Sequence, residues 1–241
     1  KVKVALSGDG ADELFLGYGW YTRHKNLSYR AHFKEKVFMN PFDGYINAIQ
    51  IFTPKERKKL WKNCVYINKD FISDEVKNSK LSSVEKINLF DLTTYLPGQL
   101  LVKADRMGMM NSLEVRSPFL DHYLAEFVYN LPDDYKTGNT IFKRILKDIL
   151  GETMPDEFVH RRKQGFGAPV KKWLRKETFK KEIYERLYNS NADIYSMMSE
   201  RFVKIMIDDF YLKGNDRYNY KIWVLYCLEL WFNSHKQCFA S

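Results

Sequence analysis

The sequence predicts an α/β protein in which helices dominate this chain and strands are few. Three observations support that fold class. The chain opens on a short β-branched and apolar run, Val2–Leu6, which has the composition of a buried strand. A glycine-containing turn follows at once and leads into a stretch with the acidic residues of a helix start. Apolar residues then recur at helical spacing along most of the remaining chain.

Residues 7–13, with the sequence SGDGADE, join the predicted strand to the first predicted helix. Two glycines allow a tight backbone, a hydroxyl stands at the strand exit, and three carboxylates follow. A turn between a strand and a helix can hold phosphate on its backbone N–H groups. Because carboxylates repel a bare phosphate, Mg²⁺ between the two would complete such a site. The turn also fits a plainer role, in which Asp9 or Asp12 caps a solvated helix.

The later helices are assigned from their caps and their apolar spacing. Capping boxes are predicted at Thr53–Glu56 and at Ser82–Glu85, and the second of these helices is expected to stop before Pro97. Residues 113–121 are expected to form a linker that ends at Asp121, which is predicted to cap the next helix. The other predicted helices span residues 12–30, 41–52, 100–111, 122–130, 140–150, 170–175, 178–188, 196–212 and 218–233. The last of them is apolar nearly all round, which predicts a core helix.

The composition points to a folded cytoplasmic protein with an anionic partner. The 241 residues are 45% hydrophobic, and 39 Lys and Arg against 30 Asp and Glu give a net charge of +9. Such a surplus suits a nucleotide, pyrophosphate, nucleic acid or membrane surface. Three cysteines without metal-ligand spacing fit reduced thiols, and no apolar run reaches transmembrane length. Because one parallel-type strand cannot form a sheet, we expect an N-terminal part of the domain outside this sequence.

Three stretches place charge beside glycine or other small residues. The first is the opening turn. The second, Lys103–Met107, sets Asp105 and Arg106 beside methionines and is equally typical of an exposed ion pair on a helix. The third, Arg161–Gly167, offers three cations and two glycines that suit polyphosphate, although a mobile basic surface loop has the same composition.

Taken in this order, the three stretches resemble one family. They read SGDGADELFLGY, KADRMGMMNSLEVRSPFLDH and RRKQGFGAPVKKWLR. Together they are similar to the C-terminal synthetase domain of glutamine-dependent asparagine synthetases, whose relatives include β-lactam and carbapenam synthetases and sugar amidotransferases. The resemblance extends from Lys3 to about Arg175. It implies that residues 1–241 are the C-terminal part of a synthetase domain with an adenine-nucleotide α-hydrolase-like fold.

The resemblance also implies an ATP-dependent, amide-forming reaction that uses Mg²⁺. In this family ATP activates a carboxylate, here aspartate or another acid, as its acyl-adenylate, and ammonia released from glutamine then displaces AMP. Lys163 matches the lysine that stabilises adenylation and pyrophosphate, Asp12 matches the acid that binds Mg²⁺, and a base is assigned near Asp9. The nucleotide-binding positions implied by the match are Ser7, Gly8, Asp9, Gly10, Arg162 and Lys163. Three further signature positions are interpreted as structural: Glu114, Arg116 and Asp121.

The chain departs from the family pattern in three ways. Asparagine-forming members often have Glu where this chain has Asp9, which is one methylene shorter and shifts any base. Many relatives have two acids after the Leu-Pro pair, where this chain has Gly98 and Gln99. The SGGxDS loop for ATP and the N-terminal cysteine nucleophile are not in this sequence, so we expect them elsewhere in the parent protein or missing. The chain alone is therefore expected to lack synthetase and glutaminase turnover.

Other functions stay open on the sequence alone. An amidotransferase that modifies a sugar or peptide carboxylate carries similar motifs, and residues 33–83 look extra to the compact asparagine synthetases. A synthetase-like scaffold without activity is a further alternative. A basic nucleic-acid-binding module is disfavoured because the basic residues are dispersed and no recognition-helix motif is visible. No membrane partner is expected, and a homodimer is compatible with the sequence.

Overall fold

The computed structural model describes residues 2–21, 23, 41–62, 76, 79–138, 141–161 and 167–235. Within these residues the protein is mostly helical, which confirms the predicted dominance of helices, and one parallel pair of short strands is present. The chain divides into two compact units, Lys1–Asn47 with Lys69–Lys163 and Ala48–Asn68 with Gln164–Ser241. No helix within the described ranges is long and apolar enough to cross a bilayer.

The first unit contains both strands. β1 (Val4–Leu6) pairs in parallel with β2 (Glu114–Arg116). The helix Pro41–Ile49 begins in this unit. The other helical segments of the unit span Ala11–Leu14, Ser83–Phe90, Asp91–Leu101, Val102–Met109, Pro118–Leu120, His122–Tyr129, Asp133–Lys136, Arg144–Gly151 and Asp156–Val159.

The strands correct two expectations. The predicted linker over residues 113–121 is wrong in part, because Glu114–Arg116 is a strand and Pro118–Leu120 is a 3₁₀ turn. A three-residue strand is too short to show a period in the sequence, so only its pairing with β1 reveals it. The first strand is not buried as expected, since Val4 is 43% exposed and Leu6 is 74% exposed. Among the described residues, no second layer covers these two side chains.

The first helix is much shorter than predicted. It covers only Ala11–Leu14, and Leu16 then adopts a left-handed backbone with φ of 52°. A helix cannot continue through that conformation without large strain, so the chain turns at this point. Residues 22 and 24–30 of the predicted helix lie outside the described residues.

The helix that begins at Ser83 does not stop before Pro97, contrary to the prediction. It continues as a π-helical segment, Asp91–Leu101, and then as the α-helix Val102–Met109. Proline lacks an N–H and its ring crowds the carbonyl of the preceding turn in an α-helix. The wider π-helical turn relieves that crowding and lets the chain run through the proline.

The predicted caps are confirmed. The side chains of Thr53 and Ser82 accept hydrogen bonds from the backbone N–H groups of Glu56 and Glu85, at 3.3 Å in both boxes. Asp121 accepts two backbone N–H groups at 3.1 Å and so starts the helix that follows it. These local signals are readable because a cap depends on residues only two or three positions apart.

A buried carboxylate organises the core of the first unit. Asp91 has no exposed surface and accepts three hydrogen bonds, from Trp20 Nε1 at 3.0 Å, the Tyr21 hydroxyl at 2.6 Å and the Tyr45 hydroxyl at 2.5 Å. Burial raises the pKa of the Asp91 carboxyl, and the three donors oppose that rise. The apolar side chains of this core are Leu16, Phe42, Val76, Val84, Ile87 and Phe90.

In the described part of the second unit, all named secondary-structure elements are helical, and one isolated bridge joins Trp61 to Met198. The helical segments span Pro54–Leu60, Val170–Leu174, Glu177–Ile183, Tyr184–Tyr188, Asp193–Ser196, Glu200–Tyr211, Asp216–Tyr218 and Asn219–Ser234. The last helix is a core helix on one face only. Its residues Ile222 and Leu225 are buried, whereas Trp231 is 44% exposed. The predicted core helix is therefore confirmed on one face, while its opposite face is exposed.

The last helix also carries a free thiol, Cys227, and a buried acid, Glu229. Cys227 is an exposed free thiol, while Cys64 and Cys238 lie outside the described residues, so the predicted reduced state of the three cysteines stays a prediction. Glu229 is buried and accepts the backbone N–H groups of Asp193 at 3.1 Å and Ile194 at 3.0 Å. An acid on the buried face thus caps a neighbouring 3₁₀ turn, which a count of apolar residues cannot reveal.

We predict that Asp91→Asn lowers the free energy of unfolding by roughly 2–4 kcal/mol, because the amide NH₂ that replaces one carboxylate oxygen would face the donors that bond to that oxygen. Asp105→Asn is the control, since Asp105 is exposed on the continuation of the same helix and should change stability by less than about 0.5 kcal/mol. Urea denaturation of both variants measures the difference. Equal stabilities would contradict a structural role for Asp91.

Candidate functional site

The parallel pairing of β1 and β2 brings two turns to one edge of the sheet. The register pairs Val4 with Glu114 and Leu6 with Arg116, so both strands end at the same level. The Ser7 N–H continues the ladder by donating to the Arg116 carbonyl at 2.8 Å. The turn after β1 lies at the carboxyl end of its strand, as the sequence predicts. In open α/β sheets this edge is where ligands bind.

Two hydroxyls and a carboxylate meet at that edge. The Ser7 and Ser117 Oγ atoms are 3.0 Å apart and hydrogen-bonded, although Ser117 lies 110 residues further along the chain. The Ser7 hydroxyl also bonds to Asp9 Oδ2 at 2.9 Å. Ser7 and Asp9 are half-buried, and Gly8 between them is exposed. The turn therefore presents a preorganised polar group beside accessible backbone.

Gly10 is required by the geometry of the turn. Its φ of 87° belongs to the left-handed region, which glycine adopts without strain. A Cβ at this position would lie 2.2 Å from Leu120 Cδ2, on the 3₁₀ turn that follows β2. The close approach of the two turns thus depends on the missing side chain.

The helix after Gly10 turns one acid outward and one inward. Asp12 Oδ1 forms an ion pair with Lys143 Nζ at 3.0 Å, and both side chains are about one quarter exposed. Glu13 is buried and accepts the Tyr18 hydroxyl at 2.5 Å, while its carbonyl accepts Asn88 Nδ2 at 2.6 Å. Burial raises the pKa of Glu13, which the Tyr18 hydrogen bond opposes. Of the three predicted carboxylates, Glu13 is therefore structural, and Asp9 and Asp12 remain for a ligand.

The donor set of the turn suits a metal that arrives with a nucleotide. Among the described residues, no three His, Cys, Asp or Glu side chains converge to form a cage for a metal ion. Mg²⁺ commonly uses only one or two protein carboxylates and takes its other oxygens from phosphates and water. The carboxylate oxygens of Asp9 and Asp12 match that requirement, so the residues present fit Mg²⁺ when phosphate completes the coordination.

The structure describes only some of the other predicted site residues. Arg162 and Lys163 lie outside the described residues, as does most of the Arg161–Gly167 loop. The guanidinium of Arg161 stacks on the Phe158 ring, 4.8 Å from its centroid. Asp105 and Arg106 are exposed on their helix.

Three residues of the candidate site were not predicted from the sequence. Ser117 was not predicted because the strand before it was interpreted as a linker, and a strand of three residues shows no period in the sequence. Lys143 and Gly17 gave no local signal, because their contact with Asp12 depends on folding. Arg116 forms an ion pair with Glu114 at 2.8 Å, and both side chains are more than half exposed.

These features define an α/β protein with a polar, glycine-containing turn at the ligand edge of a parallel sheet. The chain belongs to the asparagine synthase family, because the sequence profile of that family matches residues 1–233. No solved structure matches the chain.

Named relatives agree with the family assignment. The chain is 29% identical to asparagine synthetase [glutamine-hydrolyzing] 1 of Bacillus subtilis (strain 168), over 95% of this chain and 40% of the relative. It is 27% identical to a putative asparagine synthetase of Mycobacterium tuberculosis (strain ATCC 25618 / H37Rv), over 95% of this chain and 39% of the relative. Asparagine synthetase 3 of Bacillus subtilis is 32% identical over 68% of this chain and 26% of its own length. The chain thus spans about 40% of the length of the first two relatives.

We predict that Gly10→Ala lowers the free energy of unfolding by about 1–3 kcal/mol, because it combines left-handed strain with a clash against Leu120. Gly8→Ala is the matched control. A Cβ at Gly8 meets nothing within 4 Å, so its effect should stay below about 0.5 kcal/mol. Urea denaturation measures both variants, and a Gly10→Ala protein as stable as Gly8→Ala would refute the tight packing of the two turns.

Proposed function

We propose that this chain is the adenylating part of an ATP-dependent, amide-forming synthetase. In the proposed reaction a carboxylate oxygen of aspartate attacks the α-phosphate of ATP and pyrophosphate leaves. Ammonia derived from glutamine then attacks the acyl carbon and displaces AMP, which yields asparagine. The observation that carries the proposal is the contact of the Ser7–Asp9 turn with Ser117 at the carboxyl edge of the sheet, in a chain of the asparagine synthase family.

The turn after β1 supplies the groups that position the nucleotide. Its Gly8 is exposed and has no atom near its Cβ position, so a phosphate or ribose can approach the backbone there. The Ser7 hydroxyl is already fixed by Asp9 and Ser117, which lowers the cost of ordering it around a ligand. Gly10 keeps the turn close to the segment after β2.

Asp9 and Asp12 have different roles in the proposed reaction. Asp9 is held through Oδ2 by Ser7, and we assign it the role of accepting a proton from the attacking ammonia. Asp12 is the residue that would hold Mg²⁺. When bound, Mg²⁺ supplies positive charge against the charge that develops on the α-phosphate and the departing pyrophosphate.

Aspartate is the favoured acceptor because relatives that cover 95% of the chain are named asparagine synthetases. Pyrophosphate release by the intact protein, measured with ATP and a panel of carboxylates, tests this choice. Aspartate should give the highest kcat/KM. A clear preference for a sugar acid or a peptide carboxylate would replace asparagine synthesis with an amidotransferase function.

We predict that Lys163→Ala slows ATP–pyrophosphate exchange in the intact protein by roughly 10²–10³-fold, the usual loss for one preorganised charge that acts on a transition state. The affinity for ATP should change far less, because the contact strengthens where charge develops.

Arg161→Ala and Arg162→Ala are the controls for Lys163. As outer cations of the same loop they should mainly raise the apparent KM for ATP. Exchange near wild type in Lys163→Ala, together with an inactive Arg162→Ala, would reverse the roles assigned within this loop.

We predict that Asp12→Ala abolishes most Mg²⁺-dependent adenylation in the intact protein and leaves glutamine hydrolysis unchanged, because Asp12 would hold the metal and take no part in hydrolysis. Parallel assays of pyrophosphate release and of glutamate formation measure the two activities. Equal losses of both would indicate misfolding and contradict a specific metal-binding role.

A further inference from the structure

The ion pair between Asp12 and Lys143 has no role in the reaction as proposed above. The ammonium lies 3.0 Å from Asp12 Oδ1, and about three quarters of each side chain is buried. A cation therefore already neutralises the carboxylate that is proposed to hold Mg²⁺. Any metal ion that reaches Asp12 must do so beside a positive charge.

The backbone holds Lys143 in an unusual conformation. Its φ of 54° and ψ of 45° are left-handed, which is rare for a residue with a long side chain. Phe142 before it pairs with Thr137 in an isolated bridge, and the helix Arg144–Gly151 starts immediately after it. The strained residue is thus fixed on both sides, and strain of this kind marks sites of function.

Gly17 makes room for the pair. A Cβ at Gly17 would lie 2.1 Å from Asp12 Oδ1 and 2.3 Å from Lys143 Cε. The Gly17 N–H also donates to the Asp12 carbonyl at 2.7 Å, which keeps this glycine against the acid. The contact between acid and lysine therefore depends on the missing side chain at residue 17.

We propose that Lys143 is a specificity-determining residue that makes the site accept a metal–nucleotide complex and reject the free metal ion. This inference rests on the proposed function. A bare divalent cation placed at Asp12 meets the repulsion of the nearby ammonium. A metal that arrives with the phosphates of ATP carries net negative charge, so the same ammonium does not oppose it. Lys143 thereby couples the binding of metal to the binding of nucleotide.

Mn²⁺ binding tests this coupling without an activity assay. The probe is Mn²⁺, followed by electron paramagnetic resonance in the intact protein, with and without the non-reactive analogue α,β-methylene-ATP. In the wild type the analogue should strongly tighten Mn²⁺ binding. In Lys143→Met free Mn²⁺ should bind about tenfold tighter, and the tightening caused by the analogue should fall by about the same factor.

Two variants control for the lysine substitution. Lys147→Met removes a lysine one helical turn further on and should leave both Mn²⁺ affinities as in the wild type. Adding Asp12→Asn to Lys143→Met should abolish the gain in free Mn²⁺ affinity, because the gain arises at Asp12. Lys143→Met with wild-type affinities, or a gain that survives Asp12→Asn, would overturn the inference.

Two glycine-to-alanine variants test whether the distance between Asp12 and Lys143 matters when both charges are kept. Gly17→Ala keeps both charges but pushes them apart, so it should also tighten free Mn²⁺ binding. Gly19→Ala is the matched control, because nothing lies within 4 Å of a Cβ at that position. The unfolding midpoint of each variant shows that it is folded. If the analogue does not change the Mn²⁺ affinity of the wild-type protein, the proposed function itself is refuted. If the analogue tightens Mn²⁺ binding in the wild type but Lys143→Met has the same Mn²⁺ affinities as the wild type, only this inference is refuted.

Discussion

The parallel pairing of β1 with β2 is the constraint on which the proposed site depends. Only three residues of each strand pair, and the Ser7 N–H adds one further bond to the Arg116 carbonyl. A shift of one residue would turn the side chains of a strand to the opposite face and separate the hydroxyls of Ser7 and Ser117. Segments 110 residues apart in sequence therefore form one polar cluster because of a few backbone hydrogen bonds. The left-handed Gly10 then allows the turns that follow the two strands to touch.

Burial divides the acids around that pairing into two kinds. Glu13 and Asp91 point into the core, where tyrosine and tryptophan donors satisfy them, and burial raises the pKa of both. Removing their donors would leave a poorly solvated charge, so these groups act as anchors for the chain around the turn. Asp9 and Asp12 stay partly exposed and are positioned by Ser7 and Lys143. The buried acids Glu13 and Asp91 thus hold the chain around the turn, while Asp9 and Asp12 stay accessible to a ligand.

The sequence predicts local features well and contacts across the chain poorly. Both capping boxes and the Asp121 cap are confirmed, because each depends on residues a few positions apart. The strand Glu114–Arg116, the path through Pro97 and the turn at Leu16 were missed, since tertiary packing decides them. For the proposed site, the motif of residues 7–12 predicted a turn directly after the first strand, and the structure contains that turn. Ser117 and Lys143 were not predicted, because they lie far along the chain from Ser7 and Asp12 and meet them only through folding. Gly17 is close to Asp12 in sequence, but its contact with the acid depends on how the chain turns after Leu14.

The proposed reaction begins when a carboxylate attacks the α-phosphate of ATP at this turn. An isotope experiment tests it most directly. The intact protein is incubated with ATP, Mg²⁺, glutamine and aspartate that carries ¹⁸O in its side-chain carboxylate, and the nucleotide products are analysed by mass spectrometry. Attack on the α-phosphate leaves a carboxylate oxygen on the nucleotide when ammonia displaces it, so the account predicts AMP labelled with ¹⁸O. Formation of ADP together with ¹⁸O-labelled inorganic phosphate would show attack on the γ-phosphate and contradict the account.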